Sequence, residues 1–190
     1  MRPVFLSALP ALGLAASSAA ALDGCNIAAS QYASVVEPAL IGTWSAMQGE
    51  GILQGGGQVI GFDAEDAPPA QDVQISQIGG EMVLTFPNGQ SLYFDVMRNT
   101  VGGDYSIELA EGTGLSAVID DLWAGNVACD EKQLPLLKVA GPMTSEDGVV
   151  MDINGWLHFI DDTTISGTWQ WNATVEGTDM VMRHFLTLSR

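Results

Sequence analysis

Positive charge is what this chain lacks most. Six Lys and Arg face 23 Asp and Glu in 190 residues, for a formal net charge of −17. Binding to DNA, RNA or anionic lipid rests on clustered Lys and Arg, so none of these is expected as a partner. Long hydrophobic runs are missing too. No apolar stretch reaches the roughly 18 residues of a membrane-spanning helix, and no membrane insertion is expected once the leader described below is removed. Histidine occurs only as His158 and His184, and no G-x-S-x-G elbow accompanies them for Ser-His-Asp chemistry. Adjacent carboxylates such as Asp120-Asp121 and Asp161-Asp162 fall mostly at expected turns, where they solubilise the surface. Glycosidase chemistry instead needs two carboxylates facing across a cleft. Neither an enzymatic activity nor a cofactor is expected. A calcium site would need an EF-type loop, of which Asp152-Ile153-Asn154-Gly155 is only a fragment.

What is present begins with an address. Residues 1–21 read as a secretory signal peptide, with Arg2 at its start, an apolar stretch from Val4 to Leu14, and Ala19-Ala20-Ala21 as the cleavage site. The mature chain is expected to start at Leu22 and to form a single domain over 22–190, in the periplasm or secreted. Its two cysteines, Cys25 and Cys129, form no CxxC motif, and nothing basic flanks Cys25. In an oxidising compartment they are expected to pair as one disulfide. Closing a loop of about 105 residues, it contributes roughly 4–5 kcal/mol in the chain-entropy picture.

Ile27, Tyr32, Val35 and Val36 have mixed helical spacing, which predicts a short N-terminal helix that Pro38 stops. From Gly42 onward the apolar period becomes two. Strands are expected over Gln58–Phe62, Val73–Ile78, Met82–Phe86, Ser91–Met97, Tyr105–Ala110 and Leu136–Val139, and a short mid-chain helix carries Leu115, Val118, Ile119 and Leu122. The last forty residues predict a four-strand meander. Val149–Ile153 and Trp156–Ile160 are joined by an Asn154-Gly155 turn, and Thr164–Val175 and Met180–Leu188 follow. The 22 glycines, several inside strand-like stretches, favour curved strands. The expected fold class is all-β, an antiparallel up-and-down β-barrel with two short helices.

The sharpest pattern lies near the end. Trp169, Trp171, Ala173 and Val175 share one face of a strand, and Thr168, Gln170, Asn172 and Thr174 the other. A four-residue turn at Glu176–Asp179 would set Val175 opposite Met180, Trp171 opposite His184 and Trp169 opposite Leu186, with Met182 on the same face. The Asn154-Gly155 turn would set Ile153 opposite Trp156 and Met151 opposite His158. Trp169, Trp171, Met182, His184, Trp156 and His158 are therefore the candidate ligand-binding residues. A packed core with two hydrogen-bonded histidines fits this pattern. So does a barrel interior holding a few polar anchors for a small apolar ligand. A His–Met copper site is a third reading, although no metal ligand is assigned. The corresponding functions are a non-catalytic binder of a small hydrophobic molecule, or an envelope or inhibitor-type module whose acidic exterior meets a basic protein partner. A Trp-lined cavity favours the first; a filled barrel with an exposed apolar patch favours the second.

Gly42-Thr43-Trp44, preceded by the helical lead-in, resembles the opening of the lipocalins and the wider calycin barrels. That family starts its first strand with G-x-W and lays an Arg from the last strand over the Trp. The resemblance implies that Arg183, with Arg190 as the second candidate, takes the second role, and that a ligand lies inside the barrel.

Overall fold

The alternation that begins at Gly42 becomes a sheet that closes on itself. The computed structural model describes residues 22–99 and 127–190. The leader, the expected strand Tyr105–Ala110 and the expected helix carrying Leu115 to Leu122 lie outside the described residues. Among the described residues there are nine strands: β1 (Gly42–Gly55), β2 (Gln58–Phe62), β3 (Gln71–Ile78), β4 (Glu81–Thr85), β5 (Ser91–Arg98), β6 (Pro135–Thr144), β7 (Val150–Asp161), β8 (Thr164–Val175) and β9 (Thr178–Ser189). All pairings are antiparallel, and β1 pairs with β9, which turns the sheet into a closed ring. The ring has eight staves. β2 pairs with Gly51–Gly55 of β1, and β3 pairs along the same edge with Gly42–Ala46. Together β2 and β3 make one interrupted stave, and residues 63–70 loop out of its gap.

The N-terminal lead-in is helical but not one helix. Short 3-10 turns at Gly24–Asn26 and Ala29–Gln31 precede a π turn at Tyr32–Val36, and the four-residue helix α1 (Glu37–Leu40) follows. Pro38 therefore does not stop the helix, contrary to the sequence expectation. It sits in the first turn of α1, where a missing N–H costs little, and the wide π turn before it makes room for the ring. The extra turn matters because Leu40 is buried and its carbonyl accepts a 2.7 Å hydrogen bond from Trp44 Nε1.

This lead-in plugs one end of the ring. Tyr32, Val36 and Leu40 pack with Trp44, Ile75, Phe159, Ile165 and Leu188 in one apolar cluster. Arg190 lies over the Trp44 ring, 4.3 Å from its centroid, and donates to the carbonyls of Ala39, Ile41 and Asp162. A guanidinium stacked on an indole while bonding three carbonyls ties α1, β1 and the β7–β8 turn together. Arg183 has another partner. It sits further along β9 and donates to Gln170 at 2.7 Å.

Cys25 and Cys129 are joined as a disulfide, which ties the first 3-10 turn to the segment leading into β6.

The expected Asn154-Gly155 hairpin is absent. β7 runs unbroken through both residues, with Asn154 between Ala140 and Gln170 and Gly155 between Val139 and Trp169. The β8–β9 turn is shorter than expected, so Val175 faces Thr178, Trp171 faces Met182 and Trp169 faces His184. Relative to the expected register the strands have slipped by two residues, an even number, so every side chain keeps its face.

Candidate functional site

Four register rows line the inside of the ring beyond the Trp44 plug. Cross-strand partners in one row share a face. Starting deepest, the rows are Leu137–Leu157–Gly167–Leu186–Gln48, then Val139–Gly155–Trp169–His184–Gly51, then Gly141–Ile153–Trp171–Met182–Leu53, and finally Met143–Met151–Ala173–Met180–Gly55. Glycine stands beside the bulkiest groups for a steric reason. A Cβ on Gly155 would lie 2.6 Å from the Trp169 ring, and one on Gly51 would lie 2.6 Å from the Cβ of His184. Asn154-Gly155 was thus a packing signal that read as a turn signal.

These rows do not fill the ring. A cavity of about 310 Å³ opens at the end opposite Trp44, at the lower end of the size range of small-molecule sites. Trp169, Trp171, Ile153, Met143 and Met151 form one wall, and Ala46, Val73 and Phe86 the other. Phe86 meets Trp169 edge-on, with centroids 6.2 Å apart. Pro68 and Pro69, from the loop that interrupts the second stave, sit at the rim with Gln71. Gln48 also borders the cavity, on the stretch of β1 that neither β2 nor β3 pairs. None of the described lining residues is Asp, Glu, Lys or Arg.

His184 is the most deeply buried polar residue of the lining, 5% exposed. Its Nδ1 lies 2.7 Å from the carbonyl oxygen of Phe185. A carbonyl only accepts, so Nδ1 carries the proton and Nε2 keeps its lone pair. Burial pushes the pKa down to about 4, and the Phe185 bond opposes that only in part. Beside it, Trp171 Nε1 donates to Met182 Sδ at 3.0 Å, which satisfies the indole and holds the thioether against it.

Of the six sequence candidates, Trp169, Trp171 and His184 line the cavity, and Met182 adjoins it through Trp171. Trp156 and His158 do not belong with them. In an unbroken β7, even positions face away from Met151 and Ile153, so the false hairpin had put them on the wrong face. His158, 1% exposed, instead lies outside the ring with its Nε2 3.3 Å from Asn99 Nδ2. Burial lowers its pKa to about 4 as well, against a backbone bond at Ser166. Sequence reasoning missed Phe86, Met143, Gln48 and the two prolines. Only Phe86 left a local mark, as the last apolar residue before Pro87-Asn88-Gly89.

No family model, curated protein or solved structure matches the chain. Fold and site define its class alone: an antiparallel β protein, closed into a ring, plugged at one end and hollow at the other.

Proposed function

We propose that this chain is an exported, lipocalin-like β-barrel that binds one small hydrophobic molecule without transforming it. The observation that carries the reading is the cavity walled by Trp169, Trp171 and Phe86. A filled interior was the mark of the alternative, a protein-interaction module. Two further features support a lipocalin-like arrangement. The G-x-W tryptophan lies at the plugged end beneath an arginine that follows the last strand, and eight staves run up and down around the ring. The Cys25–Cys129 bond suits the oxidising space outside the cytoplasm.

Titration with the neutral fluorophore N-phenyl-1-naphthylamine tests this. Saturable emission enhancement at one site per chain is expected, and Trp171→Ala is expected to weaken it about tenfold while the strand signal in circular dichroism persists. If no probe binds and the same truncation costs about 3–5 kcal/mol of stability, the interior is solid and the reading fails.

A further inference from the structure

The polar atoms of the cavity are specific about what they can accept. His184 Nδ1 is committed to the Phe185 carbonyl, and the Trp171 N–H is committed to Met182. Apart from the amides of Gln48 and Gln71, the lining residues bring two further ring nitrogens: the Trp169 indole N–H, which donates, and Nε2 of His184, which accepts and cannot donate. A ligand group that donates a hydrogen bond satisfies it. One that only accepts can take the Trp169 N–H but leaves the buried His184 lone pair without a proton, a hydrogen bond lost. Formal charge is selected against as well. No cationic side chain lines the described cavity to hold a carboxylate, and the chain's charge of −17 repels anions before they arrive. A buried ammonium would meet aromatic and thioether groups with no carboxylate in the described lining to neutralise it.

We infer that the cavity selects small uncharged molecules with an apolar, ring-sized body and one hydroxyl or comparable hydrogen-bond donor, docked on His184 Nε2, and rejects carboxylates of the same shape. Phenols and compact alcohols have this chemistry; free fatty and aromatic acids do not. Burial supports the same selection, because a neutral imidazole presents a lone pair where an imidazolium would present a donor. The inference rests on the binding reading above.

Three matched competitors test it by displacement of N-phenyl-1-naphthylamine at pH 7.5: 4-propylphenol, 4-propylanisole and 4-propylbenzoate. The phenol is expected to compete at about one tenth the concentration the anisole needs, and the benzoate not to compete even at ten times the anisole's concentration. His184→Leu is expected to erase the difference between phenol and anisole, and His184→Gln, which restores an acceptor, to keep part of it. Equal competition by phenol and anisole in the native protein overturns the inference while leaving the apolar cavity standing. Competition by the benzoate at the phenol's concentration overturns it equally. If the fluorophore itself fails to bind, the underlying reading falls and the inference falls with it.

Discussion

His158 and His184 carry the same side chain into two separate buried places, one outside the ring and one within it, and both are held neutral there. Each has a folded-state pKa near 4 against an ordinary value of 6.5. Between those values the unfolded chain takes up a proton at each histidine and the folded chain does not. Stability is therefore full above about pH 6.5 and falls as the pH drops toward 4, by about 3 kcal/mol per histidine. Urea unfolding at pH 7.5 and pH 4.5 checks this: His184→Gln should flatten the difference by about that amount, and an unchanged pH dependence would refute it. At this scale the sequence was half legible. Period two put Trp169, Trp171, Met182 and His184 on one face because alternation survives any even slip in register. It could not place Phe86, in the turn after β4, or Met143, on β6, and it favoured Arg183 where Arg190 is the one that lies over Trp44. That choice depends on height along the ring, and height is set by pairing between β1 and β9.

Elements show where local signals mislead. Asn-Gly favours a tight turn when the chain is free to reverse, but a glycine is also what a central strand needs where a neighbouring ring fills the space above it. Gly155 is in that position, flanked by β6 and β8 and overlain by Trp169. Two outcomes follow. The amides of Asn154 and Gly155 should exchange with solvent as slowly as those of Ile153 and Leu157, whereas a hairpin turn would exchange early. Gly155→Val should displace Trp169 and lower stability by about 1–3 kcal/mol, as overpacking does, with loss of probe binding; unchanged binding by this variant would mean that Trp169 does not depend on the space. The lead-in helix teaches the converse. Its spacing was readable, but its end was not, because a π turn before Pro38 relieved the clash that normally ends a helix.

At the scale of the molecule, an all-β class, a single disulfide and a helical lead-in were legible from alternation, cysteine number and spacing. A closed ring was expected too, from the glycine-rich alternation, but the β1–β9 seam and the choice between a hollow and a filled interior were not legible, since both depend on which strands meet and no local pattern records that. The pairing of β1 with β9 has a consequence in time. Ser45 meets Ser189 and Gly55 meets Met180, contacts that span most of the chain, so the seam between them is the costliest loop to close and belongs late in folding. Before it forms, β1 and β9 each present an unpaired edge, and the Trp44 indole waits for Arg190. Refolding from urea should accordingly be slow, on the scale of milliseconds to seconds, with tryptophan burial trailing the appearance of β structure. A chain interrupted at that moment is a curled ribbon with two adhesive margins, and its natural hazard is to zip onto the margin of another copy.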